Sequence, residues 1–186
     1  MRWALALLAI AAIAFFVATR SRAESQMQQS REGRAMYESL RAMALATSAS
    51  DLGLDPAGAD PFVYGVVMDM DVDGETATVV AFETGDTSLY LSTGGGTIGA
   101  GEHPPVAAAA RRFVAAARAR IDAMARTDSF PRPGRGDAAF YVLTGAGVHA
   151  ASRSLDALAG GADPLSPLYA AGQDVITQLR LMPSSR

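Results

Sequence analysis

The chain has 186 residues and contains no cysteine, no lysine and no asparagine. Without cysteine there is no disulfide, no thiolate nucleophile and no Cys-ligated zinc. Without lysine there is no Walker A phosphate loop and no Schiff-base chemistry. All sixteen basic residues are arginine. Without asparagine there is no N-glycosylation acceptor. Histidine is scarce, limited to His103 and His149. Positive charge is not in excess either: the net charge is −3 and the pI about 5.3. A basic footprint is therefore missing, and no nucleic-acid partner is expected. What is present is a chain 49% hydrophobic and 19% charged, which excludes a disordered or collagen-like polymer.

The first strong feature is the N-terminal run Trp3–Thr19, seventeen residues without a charge. As a helix it would span roughly 26 Å, the short end of what crosses a bilayer. Two readings compete. Ser21-Arg22-Ala23 is a passable cleavage site for a secretory signal. An uncleaved anchor accounts better for Arg20, Arg22, Arg31 and Arg34, which follow the run closely. Positive residues favour the cytoplasmic side. The expectation is a single-pass anchor in a bacterial inner membrane with the bulk of the chain cytoplasmic. The alternative is a secreted or periplasmic protein after signal cleavage.

Three regions follow from composition: an anchor or signal segment at 1–23, a juxtamembrane helix and linker at 24–61, and one α+β domain at 62–182. Residues 24–49 show helical spacing, with Met36, Tyr37, Leu40, Met43 and Ala44 three or four apart. Gln26, Gln28, Gln29, Arg31 and Arg34 make its first part a solvated stalk. Asp51 to Pro61 holds two glycines and two prolines, a linker composition.

The remainder predicts five strands and two main helices. Phe62–Met70, Thr76–Phe82 and Ser88–Ser92 are strands joined by the Asp73-Gly74 and Gly85-Asp86 turns. A helix is expected over Pro104–Arg126 from the spacing of Val106, Ala110, Phe113, Val114, Ala117, Ile121 and Met124. Strands at Ala139–Leu143 and Val148–Ser152 follow. A C-terminal helix is expected to be capped by Ser166, with Pro167 at its first position. Short connections make the sheet mostly antiparallel, with the two main helices on one face. At the level of architecture this is similar to profilin and roadblock-type domains.

The stretch Ser92–Gly101 is the most distinctive. Gly94, Gly96 and Gly99 fit G-x-G-x-x-G between a strand and a helix, and Gly95 and Gly101 add to it. Glycines permit close approach of backbone amides, and a helix N-terminus adds partial positive charge, so a small anion is one reading. With it go His103 at the helix mouth and Arg111 and Arg112 in the helix as ligand-binding candidates. The other reading is a tight glycine turn that packs strand on helix. A dinucleotide site is disfavoured by the antiparallel context, by Pro104 and Pro105, and by the lack of a suitably placed acid.

Asp69, Asp71 and Asp73 match the first half of a calcium loop, yet Val80 stands where the bidentate Glu is needed. Their alternation equally suits the solvent face of a hairpin. His149 follows a turn and is expected exposed or satisfied within its strand. Residues 51–102 carry ten acids and no arginine, while 103–135 carry seven arginines. Either the long helix lies across an acidic sheet, or it offers an arginine face to phosphates or anionic lipid. No catalytic set is complete, and G-x-S-x-G is absent.

Thr87-Ser88-Leu89-Tyr90-Leu91-Ser92-Thr93-Gly94-Gly95-Gly96-Thr97-Ile98-Gly99-Ala100-Gly101-Glu102-His103 resembles the signature of an uncharacterised bacterial protein family. Pro164–Leu168 and Val175–Arg180 resemble it as well. The resemblance implies no activity, cofactor or functional residue. The expectation is a membrane-tethered, non-enzymatic interaction domain with a protein partner and no cofactor. The alternative is a domain that binds or processes a small anion at Gly94–Gly101.

Overall fold

A computed structural model describes residues 26–55 and 61–182. The expected membrane helix at Trp3–Thr19 lies outside them. Among the described residues no helix is long and apolar enough to cross a membrane.

Helix α1 covers residues 26–46. A short 3-10 turn at Ser50–Leu52 leads to β1 (Val63–Val72), β2 (Glu75–Phe82), β3 (Thr87–Leu91) and the two-residue β4 (Gly96–Thr97). Helix α2 (Pro104–Arg118) is followed by β5 (Ala125–Thr127), β6 (Asp137–Thr144), β7 (Gly147–Ser154), α3 (Leu155–Ala159) and α4 (Ser166–Arg180). The strands form one antiparallel sheet in the order β4-β3-β2-β1-β6-β7-β5. The α+β class is as expected, but the sheet has seven strands rather than five. The additional two, β4 and β5, are too short to show a periodicity.

The two faces of the sheet are both covered, which is why β1 and β2 read as nearly continuous apolar runs. On one face Val66, Met68, Met70, Val79 and Ala81 meet Val106, Phe113 and Val114 of α2 and Leu168, Val175 and Ile176 of α4. Gly172 lets α4 approach closely: a Cβ there would overlap Met68 Cε and lie 3.1 Å from Phe113 Cζ. On the other face Tyr37, Ala44 and Leu45 of α1 pack on Val67, Val80, Tyr90, Ala139 and Tyr141. Residues 26–32 of α1 are exposed, in keeping with a stalk. From Gly33 onward, however, the helix is built onto the sheet rather than set apart from it.

Two local expectations change. The long helix ends at Arg118 instead of running to Arg126, and a 3-10 turn at Ile121–Ala123 redirects the chain. Pairing of Ala125–Thr127 with Val148–Ala150 on β7 overrides the helical propensity of this alanine-rich stretch. Ser166 is the first helical residue of α4 and not its cap; its Oγ is buried without a protein partner. Asp163 takes the capping role through Leu165 N at 2.8 Å and, by its carbonyl, Ser166 N at 2.9 Å.

Candidate functional site

The glycine stretch forms a hairpin between β3 and β4. Gly94 N donates to Leu91 O at 2.8 Å, Leu91 N donates to Gly95 O at 3.1 Å, and Tyr90 pairs with Gly96. Gly94, Gly95 and Gly96 have φ of 98°, 88° and 136°, backbone angles that side chains resist. A Cβ on Gly96 would overlap Leu89 O. A Cβ on Gly94 would lie 3.1 Å from the Cα of Gly33 in α1, so the hairpin tip presses against that helix. Gly99 N donates to Ser88 Oγ at 3.2 Å. Backbone geometry and close packing thus account for these glycines, and the Gly94 and Gly99 amides are engaged within the protein.

Of the other members of the proposed anion set, Gly101 and Arg111 meet at the β2–β3 turn, while Arg112 is turned to α4. Gly101 packs on the β2–β3 turn, where a Cβ would lie 2.9 Å from Asp86. Arg111 reaches the same turn, donating to Thr84 O at 2.6 Å. Arg112 points to α4 and pairs with Asp174 at 2.7 Å. His103 is exposed; its N–H donates to Ala100 O at 3.2 Å, and its carbonyl accepts from Ala107 N at 2.9 Å. Helix α2 opens on Pro104 and Pro105, which bring no N–H to its first turn. Gly94 and Gly95 line a groove with Gln26, Gln29, Glu32 and Met36 of α1, a lining that holds a carboxylate and no arginine.

The acidic triplet does not converge on a cation. Among the described residues no cluster of three or more acids or histidines could hold a metal ion. Asp73 has φ 55° and Gly74 φ 88°, the conformation of a tight hairpin turn. Asp71 accepts from Gly74 N and from Gly136 N, each at 3.0 Å. Asp69 is fully buried beneath α1 instead of facing solvent.

Asp69 is the centre of a feature that spacing and hydropathy do not reveal. Arg41 Nε and Nη2 reach Asp69 Oδ2 at 2.8 and 2.5 Å. Thr78 Oγ1 donates to Asp69 Oδ1 at 2.6 Å, and Tyr37 and Thr78 share a hydrogen bond of 2.9 Å. Arg41 also donates to Phe130 O at 3.0 Å and lies 5.6 Å from the centre of the Tyr141 ring. Burial alone would lower the Arg41 pKa, but the hydrogen bond and charge of Asp69 outweigh it and raise it. Burial, above all, raises the Tyr37 and Tyr141 phenols, which therefore stay neutral. The network joins α1, β1, β2 and the 128–136 segment. It holds the helix in one register and presents no group free to act on a substrate.

That 128–136 segment crosses the α1 side of the sheet. Tyr141 Oη donates to Pro131 O, and Phe130 meets the Tyr141 ring edge-on at 5.6 Å. Between Pro131, Pro133 and a floor of Ala139, Ala150 and Ser152 lies a mainly apolar groove of about 370 Å³. The arginines of the 103–135 region are spread through the fold. Arg118 pairs with Glu83 at 3.0 Å, Arg132 with Glu38 at 3.4 Å, and Arg126 donates to Ala146 O. The acids they meet lie on the β2–β3 turn, on α4 and on α1. His149 is half-buried, and its Nδ1 has no protein partner.

Searches of protein-family models, of curated proteins and of solved structures gave no match to this chain.

Proposed function

We propose that the protein is a membrane-tethered, non-enzymatic interaction domain, with the Trp3–Thr19 run as an uncleaved anchor and the sheet domain on the cytoplasmic side of a bacterial inner membrane. The observation that carries this reading is α1. The helix is already formed at residue 26, the first described residue and seven past the end of the apolar run, and its later turns are keyed into the sheet by the buried Arg41–Asp69 pair. A segment built in this way holds the domain close to the bilayer instead of letting it drift on a flexible linker.

The test is fractionation followed by N-terminal sequencing of the full chain. The expected result is membrane-bound protein that retains Trp3–Thr19 and whose domain is degraded by protease only after the cytoplasmic side is opened. A mature chain beginning at Glu24 in a soluble fraction overturns it. The competing anion site predicts a rise in melting temperature with phosphate, sulfate or nucleotides, roughly 2.7 kcal/mol of stabilisation at a hundredfold excess over Kd. No such rise is expected, because the Gly94 and Gly99 amides already have partners within the chain.

A further inference from the structure

The two edges of the sheet are finished differently. At one, the short β4 belongs to the glycine hairpin, whose tip presses on α1. At the other lies β5, paired on one side with Val148–Ala150 of β7. In an antiparallel strand alternate residues turn their N–H and C=O away from the partner. Among the described residues the β5 backbone has no hydrogen-bond partner other than β7, and Ala125 and Arg126 are exposed. A free edge of this kind is a template for another strand. A groove also flanks it on each face of the sheet. Ala125 and Thr127 stand opposite Ala150 and Val148, which pack on the α1 side. There the groove of about 370 Å³ runs between the edge and Pro131. Arg126 stands opposite His149, on the other side by the alternation of the strand. A second cleft of about 470 Å³ lies there, lined by Ile121, Asp122, Met124, Arg126 and His149.

We infer that the outer edge of β5 is a strand-addition site for an extended segment of a partner protein, one acidic residue set between two apolar ones. The inference deepens the reading as an interaction domain and rests on that part of it, not on the tether. A strand laid along β5 takes main-chain hydrogen bonds from the open edge and sends successive side chains to opposite faces. Each face has room for them. On the α1 side the floor is Ala139, Ala150 and Ser152, small residues that leave depth for apolar side chains beside Tyr141 and Pro131. On the other side the cleft offers Arg126 and the His149 ring. Arg126 lines both grooves; its hydrogen bond goes to Ala146 O, and among the described residues no acid pairs with it. Asp122 lines the same cleft, so the charge there suits a single carboxylate and not a run of them. A second copy is the poorer occupant, because pairing two β5 strands about a two-fold axis sets Arg126 against Arg126.

The test is fluorescence anisotropy of a labelled peptide, Ser-Thr-Leu-Glu-Leu-Thr-Ser, titrated with the purified full chain. Saturable binding is expected, and a peptide with lysine in place of glutamate should bind about tenfold more weakly. Arg126→Glu inverts that preference, an outcome an unfolded chain cannot give. Arg135→Glu, exposed and outside both grooves, leaves it unchanged. Two further peptides, N-methylated at the odd or at the even amides, separate strand addition from simple seating in a groove. One set of amides faces β5, so at least one of these peptides loses binding. Binding that survives both methylation patterns overturns the inference, as does equal affinity for the glutamate and lysine peptides. A preference that Arg126→Glu does not move overturns it too, and so does the lack of saturable binding up to millimolar peptide. A disulfide-linked dimer formed through Ala125→Cys, in a chain otherwise free of cysteine, gives the edge to a second copy and also overturns it. Failure with the peptide leaves the tether to its own fractionation test, whereas a soluble chain that binds the peptide keeps the edge and loses the tether.

Discussion

The two faces of the sheet are held by different physics. The α2–α4 face is a dry apolar core in which Phe113, Val114, Leu168 and Val175 are fully buried against Val66, Met68 and Phe140. Its stabilisation is non-directional and scales with area removed from water. The α1 face is smaller and is organised around a buried ion pair with Thr78, Tyr37 and the Phe130 carbonyl as further polar partners. Such a pair adds little net stability, because desolvation of both charges offsets their attraction. What it adds is register: only one rotation and one axial position of α1 satisfy Arg41 and Asp69 together. One face makes the domain stable, and the other makes a helix sit in one place.

The sharpest way to break this contrast is to damage each face and attempt a rescue. Phe113→Ala should cost about 3–5 kcal/mol, measured by denaturant unfolding of the full chain in detergent, because a large cavity opens between α2, α4 and β1. No single partner change recovers that loss. Asp69→Ala should also cost about 3–5 kcal/mol, since it strands a buried guanidinium. Here rescue is expected: Asp69→Leu combined with Arg41→Met recovers most of the loss, as a matched apolar pair replaces a matched ionic one. A double variant no better than Asp69→Ala would show that the network carries stability in its own right.

The smallest effect belongs to the ion pair that ties α2 to α4. Asp174 is 38% exposed and Arg112 59% exposed. The hydrogen bond from Arg112, first, lowers the Asp174 pKa from its ordinary 3.8. The contribution is therefore complete above the ordinary value and disappears as pH falls through the lower folded-state value. Asp174→Asn should change stability by only about 0–1 kcal/mol at neutral pH and flatten the acid limb of the melting curve. A larger loss would mean that the apolar face also depends on charge.

Much of the apolar face was legible in the residues. The stripes Val106–Ala117 and Leu168–Leu179 have helical period, and β1, β2, β3, β6 and β7 fall where apolar runs and turn residues place them. The α1 face was not. The helical stripe includes Tyr37 and Ala44, but Met36 and Met43 point away from the sheet and Arg41 points into it. A charged residue is scored as solvent-facing by any periodicity argument, so the key of the helix was hidden by its own charge. Asp69 was masked in the same way: alternating with Asp71 and Asp73, it resembled the wet side of a hairpin until α1 was laid over it. The glycine hairpin was recognised as a special backbone, and its two readings differed only in what the glycines make room for. Half of the answer is the Leu89 carbonyl of the same hairpin, but the other half, Gly33 on α1, is distant in the chain and leaves no trace in the motif.

The buried pair has a mechanical consequence. Turning α1 about its axis by one residue, about 100°, would carry Arg41 out of reach of Asp69. The helix is thus a keyed shaft, with the guanidinium as key and the carboxylate as slot. Torque applied at residue 26 is delivered to β1 and β2 without slip, up to the load at which the key shears.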